Sequence, residues 1–142
     1  MELMEVDALR AYARMMNNLD VSHIEPLLDD NFRYSSQWMF GEITSKQEFL
    51  DYMKSQLLEI KQSGMRAYAE MAVVSAWGHD ECVVTAQGKK ENLIATVFAT
   101  LKNGKIRRID MCGTPNPSET MRSGGVSVVM LMDVRGASAS SR

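Results

Sequence analysis

One change of hydrophobic period divides this chain. Up to Gly64 the apolar residues return every three or four positions; from Arg66 to Cys112 they alternate. Val6, Leu9, Ala13 and Met16 form the first helical stripe, with Tyr12 and Met15 beside it, which predicts a helix over 3–18. Ser22-His23-Ile24-Glu25 has the spacing of a capping box, in which Ser and Glu three apart satisfy each other's free backbone donors. It predicts a short second helix over 23–28, with Pro26 in the first turn, where a missing N–H does least harm. Asp29-Asp30-Asn31 stops that helix, and 32–40 reads as an aromatic-rich strand broken by Gly41. Ser45-Lys46-Gln47-Glu48 repeats the capping box and opens a long helix over 45–63, with Phe49, Met53, Leu57 and Ile60 on one face and Gly64 as its C-terminal stop.

The alternating half offers four strands, 66–77, 81–87, 92–101 and 105–112. They are separated by Gly78-His79-Asp80, Gly88-Lys89-Lys90 and Asn103-Gly104, the last a strong hairpin dipeptide. A helical half followed by an antiparallel meander implies an α+β domain, with one curled sheet covered by helices from one side. At 142 residues the chain is sized for a single domain with a core of its own. After Gly113, Thr114-Pro115-Asn116-Pro117 cannot continue a central strand, because two prolines remove ladder donors. We therefore divide the chain into a domain over 1–113 and a tail over 114–142, with a possible extra edge strand at 126–132.

Charge and composition exclude several function classes. A net charge of −2 and no long basic run give no footprint for nucleic acid or an anionic membrane. No stretch reaches the ~20 apolar residues of a membrane helix, and Met1-Glu2-Leu3-Met4-Glu5 is acidic where a signal peptide is basic, so a cytoplasmic protein is expected. With two histidines, two cysteines and no Cys-x-x-Cys, no metal site is expected, and Cys82 and Cys112 read as free, buried thiols.

Four local motifs carry a resemblance. Leu19-Asp20-Val21-Ser22-His23-Ile24-Glu25, Asp29-Asp30-Asn31-Phe32-Arg33-Tyr34, Gly41 with Ser45, and Gly104-Lys105-Ile106 stand in the order seen in the nuclear transport factor 2-like superfamily. The chain resembles that superfamily from Leu3 to Gly113. Ketosteroid isomerase, scytalone dehydratase and the small polyketide cyclases are among its members. The resemblance implies a cystatin-like cone of order α-α-β-α-β-β-β-β, its mostly antiparallel sheet wrapped on the helices, with a pocket at the wide end and no cofactor. It is specific for fold and nearly silent on function.

Set against ketosteroid isomerase, the resemblance places Met15 where that enzyme has its tyrosine, Ser35 at the base and Val97 at the protonated aspartate. Methionine and valine donate no hydrogen bond to an oxyanion and an ordinary serine is no base, so isomerase chemistry is not expected. If Ser35 faces the pocket, alternation brings Arg33 and Gln37 with it, a set suited to a carboxylate or carbonyl-bearing ligand. Tyr34, Ser36 and Trp38 then meet either a partner subunit or the long helix. By the same comparison Ile109 and Met111 face the pocket, while Arg108 and Asp110 face outward as an ion pair. Tyr12, Met15, Met53 and Val97 complete the candidate lining, methionine being able to fit several ligand shapes. His23 and His79 fall in connections, where neither is placed for general-base work.

The function expected is binding of a small hydrophobic or amphipathic ligand. A cofactor-free isomerase, dehydratase or cyclase is the first alternative, and a dimerisation or protein-interaction module the second. A homodimer through the outer face of the sheet is expected. An ionisable side chain facing the pocket would favour the enzyme.

Overall fold

The computed structural model describes residues 3–38, 41–113 and 120–122. Helix α1 (Glu5–Asn18) leads through two single 3₁₀ turns, Val21–His23 and Glu25–Leu27, into strand β1 (Leu28–Ser36). Helix α2 (Lys46–Ser63) follows, then β2 (Ala67–Ala76), β3 (His79–Gln87), β4 (Leu93–Lys102), β5 (Lys105–Cys112) and the two-residue β6 (Met121–Arg122). The sheet order is β1-β5-β4-β3-β2-β6, antiparallel throughout except for the β1–β5 pair. It is an open α+β sheet with both α-helices on one face, as the period change implies.

Local chemistry sets most boundaries. The Ser45 hydroxyl accepts the Glu48 N–H at 3.0 Å to start α2, and Gly64 ends it at φ +77°, a conformation that costs a residue without Cβ nothing. Between β4 and β5, Asn103 and Gly104 both take positive φ, the requirement of a two-residue type I′ turn.

The second helix expected over 23–28 forms as two short 3₁₀ turns and not as an α-helix. Asp20, not Ser22, makes the cap: its carboxylate takes the Ser22 N–H at 2.9 Å and closes a 3₁₀ turn. Pro26 in the next turn has no N–H to extend either turn into an α-helix. The strand consequently begins at Leu28. Asp29-Asp30-Asn31 lies inside β1, where the Asp29 carboxylate accepts the Asn31 N–H at 2.7 Å and the register against β5 shifts between Leu28 and Arg33. These three residues make an irregularity in a strand, where the sequence reading has a helix stop.

The core fills the space between the helices and one sheet face. Ala8, Leu9, Tyr12 and Met15 of α1 and Phe49, Met53 and Leu57 of α2 close over Val83, Val97, Ala99, Ile106 and Ile109. Phe32 and Tyr34 of β1 pack on the Phe49 ring at 4.7 and 5.2 Å between centroids, and Tyr52 stands 5.8 Å from Tyr34. A smaller cluster of Ala72, Cys82, Val84 and Phe98 occupies the opposite sheet face.

Two side connections tie the margins of the sheet. Tyr34 exchanges both backbone hydrogen bonds with Ile43, at 2.8 and 2.9 Å. Asn17, at the end of α1, does the same with its carboxamide: Oδ1 accepts the Ala69 N–H at 2.7 Å and Nδ2 donates to the Ala69 carbonyl at 2.9 Å. Asn17→Ala leaves both groups of a buried residue without that partner, and is expected to lower stability by about 1–3 kcal/mol, read as a lower urea midpoint at unchanged m-value. A variant as stable as wild type would show that this link contributes nothing. Residues 121–122 pair with Ala72 and Val73 of β2. The strand expected at 126–132 lies outside the described residues. No helix among the described residues is long and apolar enough to cross a membrane.

Candidate functional site

The β1–β5–β4 register decides which side chains meet. Tyr34 lies opposite Ile109, and Ile109 opposite Ala99, all on the core face. One residue along, Ser35 lies opposite Asp110 and Asp110 opposite Phe98, so these three share the face that carries the smaller cluster. The expectation that Arg33, Ser35 and Gln37 look into the cone is therefore inverted at β1. The cause is Phe32 and Tyr34: a strand buries one parity only, and two large aromatics seated against α2 take it. Of the two neighbours open to the Tyr34 face, the long helix is the one it meets, and Tyr34 adds nothing to the outer face on which a homodimer was expected.

A row of charges crosses that outer face. Arg33 Nη1 reaches Glu42 Oε1 at 3.1 Å and Arg108 Nη2 reaches Glu42 Oε2 at 2.7 Å. The hydrogen bond from Arg108 is the chief cause that holds the Glu42 carboxyl below its usual range; burial opposes it, and the hydrogen bond from Arg33 with the charges of both guanidiniums adds to the lowering. Arg108 Nε also lies 3.0 Å from both oxygens of Asp110, the outward ion pair read from the sequence.

Beside this row lies a cavity of about 330 Å³. Ser35, Asp110 and Phe98 form its floor and Cys112 continues it along β5, while Met111 borders it with its side chain packed against the core cluster on the other face. Gln37 borders it and is held by both of its ends. The Gln37 backbone N–H donates to the Met111 carbonyl at 3.1 Å, and its side-chain Oε1 accepts the Gly113 N–H at 2.8 Å. With Oε1 occupied, the carboxamide keeps its NH₂ donors for other partners. Trp77 and His79 come from the β2–β3 hairpin. Trp77 is 65% exposed, whereas the His79 side chain is only 14% exposed. The His79 ring packs on Phe98 with centroids 5.0 Å apart, and its Nδ1 lies 3.2 Å from Glu5 Oε2, at the first residue of α1.

Of the residues singled out from sequence, Ser35, Gln37 and Met111 line this cavity. Tyr12, Met15, Met53, Val97 and Ile109 are packed core, all 3% exposed or less, and none of them lines it. Arg33 is on the surface with Glu42. Met15 and Val97 thus lie on one side of the sheet and Ser35 on the other, so the three positions compared with ketosteroid isomerase do not converge. Tyr12 is the one described residue with a buried side-chain oxygen that has no hydrogen-bond partner, and burial pushes its phenol far above the ordinary tyrosine range.

Sequence reading missed His79, Trp77 and Phe98. The β2–β3 turn is Trp77-Gly78, both at positive φ, and not Gly78-His79-Asp80; His79 is already the first residue of β3. A bulky residue rarely adopts that conformation, which is why the sequence places the turn one residue late. The signal that could have found His79 is the two-residue loop length itself.

The two thiols are free; burial raises Cys82 to about 11 and also raises Cys112. Among the described residues no three His, Cys, Asp or Glu side chains gather as a metal site. A second cavity of about 340 Å³ lies over Tyr68, whose ring has Arg66 at 5.5 Å and Lys90 at 5.9 Å.

No protein-family model and no curated protein sequence matches the chain. Solved structures do. A SnoaL-like protein of unknown function from Burkholderia thailandensis superposes with a TM-score of 0.57 at 16% identity, over 78% of this chain and 97% of that one. An NTF2-like protein of unknown function from Cytophaga hutchinsonii gives 0.55 at 13% identity, over 78% and 90%. A putative ketosteroid isomerase from Kribbella flavida gives 0.54 at 17% identity, over 76% of each. At these identities the likeness is one of fold: the chain has the nuclear transport factor 2-like fold.

Proposed function

We propose that this domain binds a small neutral molecule in the 330 Å³ cavity between β1, β5, β4 and the β2–β3 hairpin. The observation that carries the reading is the convergence there of aromatic surface and hydrogen-bonding groups. Trp77 offers exposed apolar surface beside the buried Phe98, while Gln37 and Ser35 offer donors, and the volume lies within the range of small-ligand sites. A carbonyl oxygen suits the Gln37 NH₂ and the Ser35 hydroxyl.

The electrostatics favour a neutral head over an anionic one. Two carboxylates, Asp110 in the lining and Glu5 behind His79, stand at the cavity, and Arg33, which would attract an anion, is outside the lining and shared with Glu42. A carboxylate ligand therefore meets like charge.

A panel of cyclic ketones, lactones and the matching carboxylates, followed by thermal shift, tests this. Neutral carbonyl compounds are expected to stabilise the protein. Gln37→Ala and Trp77→Ala should each weaken them about tenfold, a loss of roughly 1.4 kcal/mol, while Arg33→Ala leaves them unchanged. Preferential binding of carboxylates, or loss of all shifts in Arg33→Ala, would sink the assignment. The enzyme reading, a cofactor-free isomerase, dehydratase or cyclase, gains support from one observation: an imidazole borders the cavity.

A further inference from the structure

We propose that His79 is a general base serving this cavity and that Glu5 is the residue that positions it. The inference rests on the reading of the cavity as a ligand site. Three contacts from three elements hold the imidazole. The two-residue Trp77-Gly78 turn delivers it at the start of β3, Phe98 of β4 supports its ring at 5.0 Å, and Glu5 of α1 takes its Nδ1 at 3.2 Å. A carboxylate at Nδ1 selects the tautomer with the proton on that nitrogen and leaves Nε2 as a bare acceptor.

The other ionisable groups of the lining are spoken for. Asp110 receives Arg108 Nε on both of its oxygens, and burial keeps the Cys112 thiol in its protonated form. Of the three, His79 is the one whose basic atom, Nε2, is not already paired with a guanidinium.

The substrate class is a neutral carbonyl compound with an acidic C–H beside the carbonyl. Nε2 removes that proton, the C–H electron pair moves into a new C=C bond, and the former C=O pair shifts onto oxygen. Gln37 and Ser35 are the donors that can receive the oxygen. The imidazolium then returns the proton to carbon, at the same or at a conjugated position, so that the net change is an isomerisation or exchange without any co-reactant.

The test uses a generic probe for a base in an apolar site, 5-nitrobenzisoxazole, with the full chain. Transfer of its C3 proton to Nε2 breaks the ring N–O bond and gives a coloured cyanophenolate. The 3-methyl analogue, which has no C3 proton, reports binding alone. Wild type is expected to open the ring, His79→Gln to lose about 100-fold or more of the rate, and Glu5→Gln to lose most of it while binding the methyl analogue as before. Independently, ¹⁵N NMR of the imidazole should show Nδ1 protonated and Nε2 bare in wild type, and a mixture of tautomers in Glu5→Gln.

Binding of the methyl analogue with a rate that ignores His79 overturns the base and leaves the cavity standing. Failure of the analogue to bind counts against the cavity, and the tautomer measurement then still decides the base: Nε2–H in wild type overturns it.

Discussion

Tyr34→Ala is expected to remove about 3–5 kcal/mol of folding stability, whereas Arg33→Ala and Ser35→Ala should each change it by less than about 1 kcal/mol. The three residues are consecutive on one strand, so the contrast reports the face each one occupies. Tyr34 is buried against Phe49 and Tyr52, and its truncation leaves a hole bounded by rings that cannot all close in. Arg33 is half exposed and holds a single surface ion pair; Ser35 borders the cavity. Urea denaturation of the three variants supplies the comparison. A Ser35→Ala variant as damaged as Tyr34→Ala would mean that β1 is in the opposite phase, and the cavity described on that face would go with it.

Alkaline pH should unfold this protein well before its backbone chemistry fails. Burial is the chief reason the phenols of Tyr12 and Tyr34 resist ionisation in the fold, with the neighbouring tyrosines adding to it. In the unfolded chain both titrate near 10.0. Below that pH both states hold the proton and the pair contributes its full stability. As pH rises past it, the unfolded chain ionises and the folded one cannot, so stability falls until the folded pKa is reached. Each phenol removes about 1.4 kcal/mol for every pH unit above 10 over which it stays protonated in the fold, a slope that the two together double against a total stability of about 5–15 kcal/mol for a small domain. Urea midpoints measured across this range, with tyrosinate absorbance as a second signal, check the slope. Tyr12→Phe should halve it, and because the Tyr12 hydroxyl has no partner, the substitution should cost little or even stabilise at neutral pH. Two phenols that ionise near 10 without loss of structure would refute the argument.

Where a structural signal is local, the sequence carried it. The Ser45 cap, the Gly64 stop, the Asn103-Gly104 turn and the limits of β5 each depend on residues within four positions of one another, and each stands where the pattern puts it. The capping box at Ser22 has equally local grounds but a nearer competitor, Asp20, took the same N–H. The phase of β1 is different in kind. Alternation gives two faces and no means of telling which is inner, and the choice falls to Phe49 and Tyr52, one helix later. The cavity was least legible. Ser35, His79, Phe98 and Asp110 come from four strands, and their meeting depends on registers and on a turn that places a tryptophan at positive φ. Fold family was readable from short motifs because the fold repeats them; the site was not, because nothing along the chain marks which of its polar residues become neighbours.

The links made by Ile43 and Asn17 have a consequence for how the chain behaves among copies of itself. An open sheet ends in two ribbons of backbone that invite a further strand, and extension at either is the first step toward ordered aggregates. Here one ribbon meets Ile43 at Tyr34, which takes both backbone groups of that residue. The other meets a carboxamide at Ala69 and residues 121–122 at Ala72 and Val73. An incoming strand would have to displace a helix-borne side chain at one edge and the segment at Ile43 at the other. Asn17, through one carboxamide at the end of α1, thus occupies at Ala69 the pair of backbone groups that an added strand would otherwise take.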